Sequence, residues 1–248
     1  MRTARVAWGG AVHAARPHPD GVQLANGTVL AEDAVVWLPP FEPGSIVALG
    51  LNYADHVKEL SKELSSAQAD EPLAFLKTPS TLVGHRGFTP RPRGAAFMHY
   101  ECELAVVIGR PARRVKAADA LAHVAGYTVA NDYAVRDYLE NWYRPNLRVK
   151  NRDAATAIGP WLVSADELPD PQALALRTLV NGKLVQQGTT AGMIHTVAAL
   201  IAYLSGFMTL YPGDVILTGT PEGVVNVNPG DEVATEIDGI GRLVNTLA

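Results

Sequence analysis

Short apolar runs separated by glycine, proline and asparagine dominate the hydropathy pattern of this chain. The clearest run lies within residues 100–109, which predict a buried strand because Leu, Ala, Val and Ile continue without a break up to Gly109. Asn26-Gly27 and Asn181-Gly182 each predict a hairpin turn. Helices are predicted more rarely, at residues 54–63, around 117–121 and at 194–210. Other strands are predicted at residues 45–49, 72–77, 124–130, 176–180 and 215–217.

These elements predict an α+β fold that is mostly β, with a few peripheral helices. Pro39-Pro40 and Pro43-Gly44 interrupt the pattern and indicate a boundary. We therefore divide the chain into a small N-terminal β segment, residues 1–43, and a main domain, residues 44–248. The first segment is too small to be stable alone, so we expect it to pack on the main domain.

Composition narrows the class of protein. Of 248 residues, 48% are hydrophobic and 19% are charged, which is enough for a sizeable core. The net charge of −4 argues against a nucleic-acid partner or an anionic membrane surface. A single cysteine, Cys102, excludes an intrachain disulfide and favours the cytoplasm. We expect no signal peptide, and the apolar stretch at 197–210 is too short to cross a bilayer.

Three carboxylates stand at the margins of apolar strands. Glu101 and Glu103 point the same way because strand side chains alternate faces, and Asp132 ends the predicted strand 124–130. Like charges repel, and burying them without a partner is costly. The Glu pair alone fits a solvated sheet edge, but it also fits a hard cation with oxygen ligands, such as Mg²⁺, Mn²⁺ or Ca²⁺.

Other polar residues suggest a site for an anionic molecule. His56 and Glu59 are three residues apart on a predicted helix, so they can form a hydrogen-bonded acid–base pair, although such pairs are often ordinary surface contacts. The loop 218–223 could hold a carboxylate with its hydroxyls and N–H groups. The polar segment 61–71 could hinge a lid over residues 53–71. Candidate cations are Lys77 at a strand end, and Arg136, Arg144, Arg148 and Lys150 after the strand that carries Asp132.

Several motifs together resemble one family, the fumarylacetoacetate hydrolase superfamily. They occur in family order over residues 45–247. The matching pieces are Gly50-Leu51-Asn52-Tyr53-Ala54-Asp55-His56-Val57-Lys58-Glu59, Phe75-Leu76-Lys77-Thr78-Pro79-Ser80, Tyr100-Glu101-Cys102-Glu103, Asn131-Asp132, Leu217-Thr218-Gly219-Thr220-Pro221 and Gly239-Ile240-Gly241-Arg242-Leu243-Val244-Asn245.

The resemblance implies a mixed β-roll or flattened barrel for the main domain. It also implies a cytoplasmic, homodimeric enzyme with Mg²⁺ held by Glu101, Glu103 and Asp132. Residues 131–150 resemble a branch of the family that decarboxylates and isomerises 2-oxo polycarboxylates in 4-hydroxyphenylacetate (homoprotocatechuate) breakdown. In that branch two homologous units are often fused. This chain has one, so a separate homologous subunit is a further expected partner.

The implied reactions are Mg²⁺-dependent decarboxylation of 5-carboxymethyl-2-oxo-hex-3-ene-1,6-dioate, isomerisation of 2-hydroxyhepta-2,4-diene-1,7-dioate, or both. The expected catalytic residues are His56, Glu59 and Lys150. The expected substrate-binding residues are Lys77, Arg136, Arg144, Arg148 and Thr220.

Two alternatives stay open from the sequence. One is a hydrolase of acylpyruvates or 1,3-diketones in the same superfamily, in which His56 and Glu59 would activate water for C–C cleavage. The other is a non-catalytic module that binds a small anion through a metal. The number of chemically active residues argues against the second, and turnover assays distinguish all three.

Overall fold

The computed structural model describes residues 1–60, 71–139 and 147–248, in which strand is far commoner than helix. The α-helices are α1 (Ala54–Leu60), α2 (Leu147–Lys150) and α3 (Val197–Phe207), and 3-10 helices span Pro79–Thr81, Ala117–His123, Arg136–Tyr138 and Thr190–Gly192. The strands are β1 (Arg2–Trp8), β2 (Ala11–His18), β3 (Gly21–Leu24), β4 (Val29–Leu30), β5 (Val36–Leu38), β6 (Ile46–Gly50), β7 (Leu73–Lys77), β8 (Leu82–Val83), β9 (Gly87–Thr89), β10 (Met98–His99), β11 (Cys102–Ile108), β12 (Val124–Asp132), β13 (Ala134–Val135), β14 (Thr156–Ser164), β15 (Ala175–Val180), β16 (Lys183–Thr189), β17 (Val215–Leu217), β18 (Glu232–Ile237) and β19 (Gly241–Leu247).

The largest sheet is built around β11, the strand that the apolar run predicts. Every residue of β11 is buried, and the strand pairs with β12 on one side and β17 on the other. Within the described residues the sheet follows the order β4-β3-β2-β1-β14-β12-β11-β17-β6-β7, with β5 beside β1 and β8 beside β14. The strand is apolar along most of its length because both of its faces are covered.

A second sheet has the order β16-β15-β18-β19-β9 in the described chain. Its β15–β16 hairpin turns at Asn181-Gly182, as predicted. Both turn residues have positive φ, 51° and 76°, and this is the conformation that makes Asn-Gly favourable in tight hairpins. The other predicted hairpin, at Asn26-Gly27, joins β3 to β4.

The described strands form open sheets that do not close into a barrel. The expectation of a mostly β fold with few helices is confirmed, but the flattened-barrel form of that expectation is wrong. The reason lies in the strand order: β4 and β7 end the large sheet and do not pair with each other. Sequence pattern predicts strands, whereas closure depends on tilt and register around the whole sheet.

The main hydrophobic core lies on one face of β11 and β12 and is covered by α3 and the second sheet. Tyr53, Tyr100, Leu104 and Leu200 are among its fully buried members. Thr196 caps α3 by accepting a hydrogen bond from the Ala199 N–H, at 3.2 Å. The predicted helix 194–210 therefore begins later and ends earlier than the apolar run does, because the capping residue sets its start.

The N-terminal strands bury their own small cluster, which includes Val6, Val22 and Trp37. They join the rest of the chain through β1, which pairs with β14. Trp37 also stacks edge-on against His85 and Trp161, with ring centroids 5.0 and 5.3 Å apart. The segment packs on the main domain in this way, while its division at residue 43 stays a prediction.

The helix predicted at 54–63 is present as α1 over the described part, Ala54–Leu60. The expected lid, residues 53–71, includes 61–70, which lie outside the described residues, so the lid stays a prediction. The segment predicted as an amphipathic helix near 117–121 is a 3-10 helix, Ala117–His123.

His85 joins the N-terminal segment to the second sheet and gives a pH-dependent stability. Its Nδ1 accepts a hydrogen bond from the Val244 N–H at 3.0 Å, so the buried ring is neutral. Burial, helped by Arg86 and Arg242, lowers the pKa of His85 from 6.5 to about 4. Between these values the unfolded chain binds a proton that the folded chain does not. This contribution to the free energy of unfolding is fully present above pH 6.5 and is lost as the pH falls towards 4.

We expect His85→Asn, whose side-chain oxygen can accept the same N–H, to flatten the loss of stability between pH 6.5 and 4. The wild-type loss attributable to this group is up to about 3 kcal/mol. Urea unfolding at several pH values measures it, with His13→Asn in the N-terminal hairpin as the control. An unchanged slope in His85→Asn would contradict this assignment.

Candidate metal centre and active site

Three carboxylates meet at the ends of β11 and β12. Oxygen atoms of Glu101, Glu103 and Asp132 lie within 4.8 Å of one another. The antiparallel pairing of Cys102 with Asn131 places them side by side, and the Asp132 N–H donates to the Glu101 carbonyl at 2.9 Å. Glu103 and Asp132 are fully buried, so the solvated-edge interpretation of the Glu pair is wrong.

Two buried lysines neutralise part of this charge. The Lys77 ammonium donates to Asp132 Oδ1 and to the Lys150 carbonyl. The Lys150 ammonium donates to Glu101 and, at 2.9 Å, to Asp132 Oδ2. Asp132 is thus shared by both lysines. With all five groups ionised, three carboxylates and two ammonium groups give the cluster a formal charge of −1.

The pKa values show which charges the site favours. Burial alone would raise the pKa of Asp132, but Lys150 and Lys77 outweigh it and hold that pKa below its usual value. Burial lowers the pKa of Lys77. The opposite holds for Lys150, because Asp132, Glu101 and Glu103 outweigh burial and raise its pKa. Lys150 therefore remains charged beside the carboxylates.

Glu103 is the member that a cation would complete. Burial raises its pKa, and Asp132 and Glu101 raise it further. Its Oε2 accepts a hydrogen bond from the Gly219 N–H at 2.7 Å, but Oε1 is buried without a partner among the described residues. A buried carboxylate oxygen without a partner is costly, and a hard divalent cation supplies what it lacks. The donor set, all oxygen, therefore fits a metal of the Mg²⁺ type.

The loop 218–223, which follows β17, connects this cluster to helix α1. At one end Gly219 binds Glu103, and at the other the Gly223 N–H donates to Glu59 Oε1 at 3.1 Å. The Thr218 carbonyl accepts a hydrogen bond from the Asn52 side chain at 2.9 Å. These hydrogen bonds to Glu103, Asn52 and Glu59 fix the loop between the carboxylate cluster and α1.

His56 and Glu59 form the pair that their spacing predicts. His56 Nδ1 lies 2.8 Å from Glu59 Oε2, and the imidazole is buried. Because Nδ1 faces the carboxylate, Nε2 is the nitrogen left to exchange a proton with a ligand. A His–carboxylate pair of this geometry can act as a general acid or base.

The cationic residues from Arg136 to Lys150 do not share one location. Lys150 joins the carboxylates, whereas Arg148 is exposed and lies over the Tyr138 ring, 4.1 Å from its centroid. The backbone of Arg136 is held by the Phe97 carbonyl. Arg144 lies outside the described residues. Binding of a distal carboxylate by these arginines stays a prediction.

Two expected substrate residues have defined partners already. Lys77 binds Asp132, so it neutralises part of the charge of that carboxylate. The Thr220 hydroxyl accepts a hydrogen bond from Gln186 Nε2 at 2.9 Å. Sequence reasoning missed Gln186 and the role of Asn52. The sequence indicates only that Gln186 lies on the strand after the Asn181-Gly182 turn. That position does not predict its contact with the loop 218–223.

The described residues include no helix that is long and apolar enough to cross a membrane.

Comparison with known proteins agrees with this fold and site. Residues 45–248 match the family described as "Fumarylacetoacetate (FAA) hydrolase C-terminal", so the chain belongs to the fumarylacetoacetate hydrolase family. It is 58% identical over 208 residues to the 4-hydroxyphenylacetate degradation bifunctional isomerase/decarboxylase of Escherichia coli, covering 84% of this chain and 48% of that protein. The protein of the same name from Salmonella dublin is 53% identical over 233 residues, covering 92% and 53%.

The chain spans about half the length of these curated relatives. Among solved structures, the 5-carboxymethyl-2-hydroxymuconate delta-isomerase of Mycobacterium smegmatis is similar, with a TM-score of 0.86 and 35% identity. That match covers 100% of this chain and 98% of the other. The resemblance seen in the sequence is confirmed at the level of family, and the homologues are named as enzymes.

We expect Glu103→Gln to separate metal binding from folding. The amide oxygen can still accept the Gly219 N–H, but the amide nitrogen cannot ligate a cation. Mg²⁺ affinity should fall by more than about 100-fold, since losing only a supporting contact costs roughly 10–100-fold. In chelator the variant should be at least as stable as the parent, because a buried like charge is removed.

Titration calorimetry with Mg²⁺, and thermal unfolding in chelator and in Mg²⁺, check both outcomes. Glu232→Gln, at the exposed start of β18, is the matched control. Mg²⁺ binding that is equally tight in Glu103→Gln would remove Glu103 from the ligand set.

Proposed function

We propose that this chain is a Mg²⁺-dependent enzyme that decarboxylates 5-carboxymethyl-2-oxo-hex-3-ene-1,6-dioate, isomerises 2-hydroxyhepta-2,4-diene-1,7-dioate, or does both, in 4-hydroxyphenylacetate breakdown. The observation that carries the proposal is the loop 218–223, which binds Glu103 of the carboxylate cluster at one end and Glu59 of the acid–base pair at the other. One short loop therefore contacts both groups. The names of the relatives support the substrate class.

Charge supports a polyanionic substrate. The cluster has one negative charge in excess, and a bound divalent cation would reverse its sign. Lys150 stays protonated, and its three N–H groups bind Glu101 Oε2, Asp132 Oδ2 and the Asp132 carbonyl. Its positive charge beside the cluster attracts a carboxylate end that approaches the metal. A tricarboxylate suits such a site better than a neutral ketone does.

When bound, Mg²⁺ supplies a Lewis acid that favours negative charge on the 2-oxo oxygen of the substrate. The side chains of Lys150 and Thr220 orient the adjoining carboxylate. Glu59 holds the His56 ring through Nδ1 and stabilises it when it is protonated. His56 Nε2 then moves the proton that isomerises the dienol. Lys77 keeps Asp132 ionised and in place, and Arg136, Arg144 and Arg148 are proposed for the distal carboxylate.

We further propose that the enzyme is cytoplasmic and homodimeric, and that a separate homologous unit is a possible partner in its reactions. The chain spans about half the length of these relatives, and this motivates the second proposal. Sedimentation of the purified chain measures whether it forms a dimer. Assays of turnover with and without a homologous unit test the partner.

The direct experiment is mass spectrometry of the products formed from synthetic ring-cleavage intermediates with Mg²⁺ present. Release of CO₂ indicates the decarboxylase, a shift of the double bond without mass change indicates the isomerase, and two cleaved fragments from an acylpyruvate indicate the hydrolase. Binding of metal and anion without turnover indicates the non-catalytic module.

We expect His56→Ala to slow isomerisation by about 10²–10⁴-fold, the usual contribution of general acid–base catalysis. Release of CO₂ should fall much less, because that step needs no proton from His56. Separate recording of CO₂ and of the dienol's ultraviolet absorbance checks this, with His18→Ala on β2 as the control. If CO₂ release stops in His56→Ala while the parent chain cleaves acylpyruvates, the hydrolase assignment is correct instead.

A further inference from the structure

The loop 218–223 has a buried neighbour that the proposed chemistry does not use. Gln186, on β16, is 2% exposed, and each polar atom of its side chain has a partner. Its Nε2 lies 2.9 Å from both Thr220 Oγ1 and the Pro221 carbonyl. Its Oε1 lies 2.9 Å from Thr178 Oγ1. A fully buried amide with these contacts has one orientation.

The Pro221 carbonyl fixes that orientation. A carbonyl oxygen can only accept, so the nitrogen of Gln186, and not its oxygen, must face the loop. The Thr178 hydroxyl must then donate to Gln186 Oε1. A reversed amide would put two oxygens against each other at Pro221 and lose these bonds. Both N–H groups of Gln186 are thereby committed, one to Pro221 and one to Thr220.

This arrangement decides what the Thr220 hydroxyl can do. Because Thr220 Oγ1 already accepts from Gln186, its own proton is free to be donated, and the described part of the chain offers that proton no acceptor. Thr220 follows Gly219, whose N–H lies 2.7 Å from the Glu103 carboxylate. The proton therefore belongs to the residue next to the one that binds the carboxylate cluster.

We infer that Gln186 is a positioning residue, which occupies one lone pair of the Thr220 hydroxyl and turns its proton towards the carboxylate of a 2-oxo acid bound at the metal centre. The inference rests on the proposed function for the identity of the ligand. It adds a specificity element: with its proton turned to the ligand, the hydroxyl favours an anionic oxygen at this point over a ligand that presents a donor there. A hydroxyl without the Gln186 bond rotates freely, so it can donate to an anionic oxygen or accept from a ligand's donor.

The test is a double-mutant cycle between Gln186→Met and Thr220→Val, read as affinity for oxalate in saturating Mg²⁺ by calorimetry. Oxalate carries the adjoining oxygens of a 2-oxo acid without reacting. Thr220→Val should weaken oxalate binding by about 10- to 100-fold, the loss of a hydrogen bond to a charged group. Gln186→Met should weaken it by about 3- to 10-fold by releasing the hydroxyl, and by less than twofold when Thr220→Val is already present.

Three further measurements distinguish positioning from a general structural role. Mg²⁺ affinity without oxalate should stay within twofold in every variant. Thr220→Ser, which keeps the hydroxyl, should retain most of the oxalate affinity. Gln187→Met, on the exposed neighbouring position of β16, is the matched control and should bind oxalate like the parent.

Gln186→Glu is a second variant that does not depend on the stability of Gln186→Met. It keeps the size of the side chain but replaces the donor with an acceptor, so the Thr220 hydroxyl donates to position 186 and not to oxalate. We expect a loss at least as large as that of Thr220→Val.

Equal effects of Gln186→Met in both backgrounds, no effect of Gln186→Met, or no oxalate binding by the parent would each overturn the inference. Failure of the proposed function shows differently, as a parent chain that binds oxalate with Mg²⁺ but neither releases CO₂ nor isomerises the dienol.

Discussion

The site depends on the way buried charge is balanced around Asp132. Two ammonium groups, of Lys77 and Lys150, reach its two carboxylate oxygens in a region closed to water. Removing one partner from such a group typically costs about 3–5 kcal/mol, because the remaining charge stays buried. Lys77 ends β7, while Lys150 ends the short helix α2. Asp132 therefore holds together segments that are far apart in the chain.

This charge balance is incomplete at Glu103. The two lysines serve Asp132 and Glu101, but Glu103 receives only the Gly219 N–H and keeps one buried oxygen without a partner in the described chain. A protein without a further cation would gain stability from a neutral residue there. Retaining the carboxylate makes physical sense if a divalent cation binds, and then the same charges favour an anionic substrate.

The loop 218–223 connects the carboxylate cluster to the His56–Glu59 pair. Its backbone meets Glu103 and Glu59, its Thr220 hydroxyl meets Gln186, and its Gly223 carbonyl accepts from the buried Tyr100 hydroxyl at 2.7 Å. Gly219 and Gly223 have φ values of 87° and 100°, which glycine adopts without strain. The loop can bring backbone N–H groups to two carboxylates only because both positions lack a side chain.

Sequence patterns correctly predicted the features that depend on residues close together in the chain. The apolar run before Gly109 determines β11, alternation puts Glu101 and Glu103 on one face, Asn181-Gly182 determines a hairpin, and a three-residue spacing lets His56 meet Glu59. The family motifs identified the family and the metal-binding candidates. Only the tertiary structure decided that Lys77 binds Asp132, that Gln186 binds Thr220, and that the described sheets stay open. Those outcomes depend on contacts between strands and loops tens of residues apart, which no local pattern encodes.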